Sequence, residues 1–212
     1  MTSRWGPMGW MTLHSISACY PEIPSQGDKD MLKRFMHLFG ECITCPSCKN
    51  HFASMFSTYQ RMHPEWANSR FDLFVAVCRM HNTVNKRLDK PRPASVQQAL
   101  QTLISATSVT SPRVFRSNYI QYLINNWARQ GDGEGMIFAS SARQMMRINN
   151  EYWSLREVVY TDLSFPEANL LELVPENPQT YNLGNGMRPF VPSNIGNVGF
   201  SFKGGRLSLG RR

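Results

Sequence analysis

Apolar positions recur along the first half of the chain with the 3.6-residue period of helices that bury one face. Trp10, Leu13, His14 and Ser17 fall at i, i+3, i+4 and i+7 and predict a helix from about Pro7 to Pro21, followed by a turn through Pro21 and Pro24. Met31, Leu32, Phe35, Leu38 and Phe39 predict a second, N-capped by Asp28 and ended by Gly40. A third opens at Pro46, carries Phe52, Met55, Phe56 and Tyr59, and stops before Pro64. Phe71, Phe74, Val75 and Cys78 predict a fourth after an Asn68-Ser69 cap.

That fourth stripe turns polar downstream. His81, Val84, Asn85 and Leu88 keep the helical spacing, and Asn82 and Asn85 are poor helix formers that compete for backbone hydrogen bonds. A planar ligand with many acceptors lying along this face would account for them, and Lys86, Arg87 and Lys90 stand close enough to neutralise phosphates. Beyond Pro91 and Pro93, Ser95 caps a helix with Val96, Ala99, Leu100, Leu103 and Ile104. Another follows Pro112, with Val114, Phe115, Tyr119, Tyr122, Leu123 and Trp127, and breaks at Gly131-Asp132-Gly133. The last runs from about Met136 to Tyr160 and includes Met145, Met146, Ile148, Trp153 and Leu155. Trp127 and Trp153 read as core rather than as ligand-stacking residues.

From Asp162 the pattern fails. Five prolines (Pro166, Pro175, Pro178, Pro189, Pro192) and repeated glycines deny regular helix, yet Leu170, Leu171, Phe190, Phe200 and Phe202 are too apolar for a linker. The expectation is an extended arm that orders on a partner or a second copy, with the alternation at 198–202 suited to an added strand. Three segments result: a helical domain over 1–108, a helical extension over 109–160 that either packs on it or dimerises, and a Pro/Gly-rich arm over 161–212.

Charge adds little to this picture. The net +8 is uneven, with four acids and no base between Asp162 and Glu176 and five bases and no acid from Leu183 onward. No nucleic-acid module is visible, so an anionic cofactor or an acidic partner surface fits the balance better. The opening Met-Thr-Ser-Arg-Trp-Gly-Pro lacks the features of a secretory signal, and no run reaches eighteen apolar residues. The expectation is a soluble cytosolic protein without a membrane span.

The five cysteines change the picture more. Four lie in the first 48 residues, too few and too clustered for a disulfide-stapled secreted domain. Cys45-Pro46-Ser47-Cys48 is a spacing at which a disulfide opens and closes with little backbone movement. Pro46 suits the first turn of a helix that Cys45 caps, which places Cys48 one turn inside, and free N–H groups with the positive helix end favour thiolate there. Cys45 then meets partners while Cys48 faces inward. Zinc carries about equal weight on this motif alone, since Cys78 and His81 would complete a Cys₃His set. An iron–sulfur site over Cys42, Cys45 and Cys48 lacks its fourth cysteine.

The combination of Trp5-Gly6-Pro7, Trp10, Leu13-His14, Tyr20-Pro21, Phe35 to Phe39, Cys45-x-x-Cys48 and Cys78-x-x-His81-Asn82-x-Val84-Asn85-x-x-Leu88-x-Lys90-Pro91 resembles the ERV/ALR family of FAD-linked sulfhydryl oxidases over roughly residues 5 to 95. A zinc ribbon would explain the cysteines but neither the tryptophan-histidine helix nor the paired asparagines. The resemblance implies an all-α four-helix bundle with a short fifth helix, usually dimeric, holding bent FAD between helices. It implies that Gly6, Trp10, His14 and Tyr20 line the flavin side and that His81, Asn82, Val84, Asn85, Leu88 and Lys90 embrace the adenine and ribose-phosphate. Cys48 would be the thiol against the isoalloxazine and Cys45 the one exchanging with protein thiols, with O₂ as final acceptor and hydrogen peroxide as product.

Two departures from the family pattern follow. The cysteine that relatives pair with the equivalent of Cys78 is missing near Ser95, so Cys78 is expected as a buried free thiol whose staple other packing replaces. No cysteine follows Cys78 to form a shuttle pair, and Cys19 and Cys42 are expected to be passive. The bare CxxC and long extension are reminiscent of members encoded by large DNA viruses, which implies a cytoplasmic or virus-factory setting, virion proteins as substrates, and an arm that binds another virion protein. The competing readings are a scaffold that keeps the helical fold and a zinc-binding module.

Overall fold

The computed structural model describes residues 5–175 and the backbone of two short strands, Phe200–Lys203 and Arg206–Leu209. Seven α-helices build the described body: α1 (Trp5–Cys19), α2 (Gln26–Cys42), α3 (Pro46–Met62), α4 (Arg70–Arg87), α5 (Val96–Thr107), α6 (Pro112–Ala128) and α7 (Gly133–Glu151). Two 3₁₀ turns, Trp153–Leu155 and Tyr160–Asp162, follow α7. Among the described residues no helix is long and apolar enough to cross a membrane.

Capping sets the boundaries. Ser69 and Ser95 each accept a backbone N–H from the first turn of α4 and α5, as the sequence predicts, and Ser111 does the same for α6 just before Pro112. For α2 the expected cap is corrected. Ser25, not Asp28, occupies the position: its hydroxyl accepts from Asp28 N while the Asp28 carboxylate takes Ser25 N at 2.9 Å, a reciprocal box that uses Asp28 three residues in.

The last helix is shorter than its periodicity predicts. Asp132 caps α7 through Gly135 N, and the helix ends at Glu151 rather than Tyr160. A Cβ on Gly135 would stand 2.7 Å from the Trp127 carbonyl, so only glycine lets the first turn of α7 pass the end of α6, while Gly131 supplies the left-handed turn between them at φ +69°. Beyond Glu151 the chain leaves helical geometry and buries Trp153 completely, edge-on to Phe35 with ring centroids 6.0 Å apart.

Two clusters make the core. The larger joins α1, α2, α3 and α4 to α6 and α7 through Leu13, Phe35, Phe39, Phe52, Met80, Tyr119, Leu123 and Met145. The helical extension therefore shares one core with the N-terminal helices, with α6 packed on α1 and α7 on α2. The smaller cluster gathers Phe74, Val75 and Cys78 of α4, Val96, Ala99 and Leu103 of α5, Tyr160 and Leu170.

The start of the expected arm lies in that second cluster. Phe165 packs on Phe74 at 4.7 Å and Leu170 is fully buried. Cys78 is a free thiol here, and Asn82 Nδ2 donates to both the Pro93 carbonyl (2.9 Å) and the Leu170 carbonyl (2.8 Å), tying together the segments that flank it. Packing and one amide thus stand where a disulfide would. Asn82→Ala is expected to lower stability by roughly 2–3 kcal/mol, because two carbonyls lose their donor; chemical denaturation checks this.

The rest of the expected arm lies outside the described residues except for the two strands, which form an antiparallel hairpin pairing Phe200 with Leu209 and Lys203 with Arg206. Strand structure does begin within the alternating stretch 198–202, whose first two residues are not described.

Candidate active site

The amino end of α3 carries the Cys45-x-x-Cys48 motif as the spacing predicts. Cys45 is the N-cap, Pro46 the first helical residue, and Cys45 Sγ accepts from Cys48 N at 3.3 Å. Cys45 and Cys48 are joined as a disulfide with Cα atoms 5.2 Å apart. Both are half-buried; Cys48 packs against the large core cluster, while Cys45 is followed by the exposed Pro46 and Ser47 and contacts Ser47 Oγ at 3.3 Å. The Cys48 N–H and the positive dipole of the first turn face Cys45 Sγ, which lowers the cost of a thiolate there when the bond opens.

The other cysteines are built differently. Cys19, Cys42 and Cys78 are free and buried. Burial pushes the Cys19 thiol up to about 11 and the Cys42 thiol to about 12, and raises Cys78 further still. Neutral thiols do not attack disulfides, so the expectation that Cys19 and Cys42 are passive accords with their surroundings.

The second half of the site lies where α1 meets α4. Trp10 and His81 stack with centroids 4.3 Å apart and planes 8° from parallel, and His14 Nε2 lies 3.0 Å from His81 Nδ1. One ring must donate and the other accept, so the contact requires at least one neutral imidazole. Burial, with His81 adding repulsion, holds His14 well below the ordinary histidine range. Burial also takes His81 down to about 4, helped by the Lys90 ammonium. The remaining nitrogen, His14 Nδ1, is buried without a partner. An unmet polar atom beside a stacked aromatic pair suits a planar ligand with a polar edge.

Acid should undo this arrangement. Between pH 6.5 and about 4 the unfolded His81 binds a proton that the folded ring refuses, so stability falls as pH drops through that window. Thermal midpoints measured from pH 7 to 4 should decline more steeply for the native chain than for His81→Phe, which keeps a ring against Trp10.

The other expected site residues make contacts of their own. Tyr20 is fully buried with its hydroxyl donated to the Ala67 carbonyl at 3.0 Å. The Asn82 amide is committed to Pro93 and Leu170, and Asn85 Nδ2 donates to the Pro91 carbonyl at 3.2 Å. Val84 packs against the large cluster, Leu88 caps α4 and is 47% exposed, and Gly6 opens onto free space. The Cys₃His set of the zinc reading is not assembled: Cys78 lies in the second cluster and His81 against Trp10 and His14, and among the described residues no three metal-ligating side chains converge.

Lys49 carries chemistry that the sequence reading missed. Its ammonium sits 4.0 Å over the Phe138 ring, and burial lowers its pKa against the opposing pull of Glu41. A cation directly after Cys48 was the available signal; its partner on α7 was not.

Comparison with known proteins covers the stretch that carries these residues. The family model described as Erv1 / Alr matches residues 7–103. The mitochondrial FAD-linked sulfhydryl oxidase ERV1 of Saccharomyces cerevisiae is 36% identical over 87 residues, 41% of this chain and 44% of that protein. The FAD-linked sulfhydryl oxidase ERV1 of Arabidopsis thaliana is 33% identical over 85 residues, 40% of this chain and 42% of that protein. The FAD-linked sulfhydryl oxidase of African swine fever virus is 31% identical over 87 residues, 41% of this chain and 70% of that protein. The chain thus spans less than half the length of the yeast and plant relatives, and no solved structure matches it. The matched stretch holds α1 to α4, the helix-capping disulfide and the Trp10–His81 stack, and with a viral relative covered over most of its length the chain belongs to the Erv1 / Alr family.

Proposed function

We propose that this chain is an FAD-dependent thiol oxidase that forms disulfides in protein substrates. The observation that carries the reading is a Cys45–Cys48 disulfide on a helix terminus in the same folded body as the Trp10, His14 and His81 rings, one of which keeps an unmet buried nitrogen. Trp10, His14 and His81 would hold the cofactor, with Lys90 nearest for its phosphates. The chemistry FAD supplies when bound is two-electron acceptance from the dithiol, with dioxygen as final acceptor and hydrogen peroxide as product.

The protein's own steps are thiol exchange. A substrate thiolate attacks Cys45 Sγ, a substrate–Cys45 disulfide forms, and Cys48 leaves as a thiolate under the first-turn N–H groups of α3. The second substrate thiolate attacks the substrate sulfur of that mixed disulfide and expels Cys45 as a thiolate. The substrate has lost two electrons and two protons, and the Cys45–Cys48 pair has gained the electrons. With Cys19, Cys42 and Cys78 buried, substrate meets Cys45 directly without a relay pair among the described residues. A cytoplasmic assembly setting, with virion proteins as substrates and as partners of the arm, is part of the same proposal, and what lies behind it is the similarity to an oxidase encoded by a virus. Homodimerisation is the family-like expectation, and light scattering on the purified chain decides it.

The purified chain should be yellow with a flavin absorption band and should consume oxygen with dithiothreitol, releasing peroxide. A colourless protein carrying one zinc per chain would overturn the proposal, and bound flavin without oxygen uptake would favour a scaffold.

A further inference from the structure

Three cysteines at equal spacing, Cys42, Cys45 and Cys48, pose a hazard to a working disulfide. A Cys42 thiolate attacking Cys45 Sγ would form a Cys42–Cys45 bond, break Cys45–Cys48 and release Cys48 as a thiolate. No electrons are gained or lost in that isomerisation, and the pair it leaves is the wrong one.

The structure engages Cys42 by two crossed contacts. Its Sγ donates to the Phe138 carbonyl of α7 at 3.5 Å, and its own carbonyl accepts Trp127 Nε1 of α6 at 2.9 Å. Cys42 is fully buried, Trp127 and Phe138 pack ring against ring at 4.7 Å, and Lys49 of α3 spans back to the Phe138 ring. The sulfur is thereby aimed at the extension and the backbone leading into the Cys45 cap is pinned. Both clamps come from residues beyond the stretch 7–103 that matches the family.

We propose that Trp127 and Phe138 are positioning residues that guard the redox disulfide against isomerisation by Cys42, and that this is one task of the α6–α7 hairpin. The proposal rests on the redox reading of Cys45–Cys48, but its readout does not require flavin or oxygen uptake.

The test uses the full chain with Trp127→Phe, which keeps an aromatic ring near Phe138 and removes only the indole donor. After acid quench and alkylation, peptide mapping should find Cys45–Cys48 alone in the native chain and a Cys42–Cys45 peptide in the variant. Cys42 in the folded variant should react with iodoacetamide at least tenfold faster. Adding Cys42→Ala should restore the Cys45–Cys48 bond. Phe138→Leu serves as the second variant should Trp127→Phe not fold: it keeps the backbone carbonyl that Cys42 Sγ contacts but removes the ring packed on Trp127, so the same rise in Cys42 reactivity is expected through the loosened indole. A folded variant that keeps Cys45–Cys48 alone with unreactive Cys42 overturns the guard, as does a native chain already carrying Cys42–Cys45. Absence of flavin with the guard result intact would instead refute the oxidase reading.

Discussion

Cys48→Ala is expected to abolish oxygen consumption with dithiothreitol, a loss of at least about 10³-fold, while the flavin band stays in place. The side chain removed is both the leaving thiolate in substrate exchange and half of the disulfide at the α3 terminus. Cofactor retention is expected to survive because Trp10, His14 and His81 are held by α1 and α4 rather than by α3. Cys45→Ala should be equally inactive, but the two variants should differ in what they trap. Cys48→Ala leaves Cys45 as a half-buried thiol that can attack a disulfide-bearing protein, forming a Cys45 mixed disulfide and releasing that protein's other sulfur as a thiolate, whereas Cys45→Ala leaves only the core-packed Cys48. Oxygen-electrode rates, the visible spectrum and non-reducing gels with a disulfide-bearing protein check all three points. Substantial turnover by Cys48→Ala would mean the chemistry lies elsewhere in the chain.

Glu157→Ala is expected to be the most damaging substitution outside the redox site. Arg116 of α6 is fully buried between α1 and α7, donating to Asn149 Oδ1 at 2.8 Å and Ser15 Oγ at 3.2 Å, and its charge is met by Glu157. Deleting that carboxylate strands a guanidinium in the core, which should cost about 3–5 kcal/mol. For a chain of this size that corresponds to a fall in thermal midpoint of about 10 °C. Arg116→Met together with Glu157→Gln should recover most of the loss, since it removes the charge along with its partner. Calorimetry on the three proteins separates a stranded charge from simple loss of packing. A midpoint for Glu157→Ala within two or three degrees of the native chain, about 1 kcal/mol, would show that water reaches Arg116.

Much of the helical order is local and was legible in the chain. Serines before α4, α5 and α6, and a cysteine-proline pair before α3, set those starts because capping is a contact among residues three apart. Asp28 misled for a related reason: in a reciprocal box either member looks like the cap until the backbone shows which side chain faces the first turn. The α7 boundary misled differently. Periodicity ran on through Trp153, but the burial of that indole against Phe35 and the pairing of Glu157 with Arg116 are long-range gains that outweigh another two turns of helix.

The site divides along the same line. By itself the sequence determined the helix-capping cysteine pair, since Cys45, Pro46 and Cys48 act within one helical turn, and the stripe that brings Trp10 and His14 to one side of α1. Only the tertiary structure decided that His81 stacks on Trp10 while its neighbour Asn82 turns to the Pro93 and Leu170 carbonyls, because residues one apart on a helix point about 100° away from each other. It alone decided that α6 and α7 join the core of the first four helices and clasp Cys42, since those contacts span some ninety residues and depend on which faces of separate helices meet.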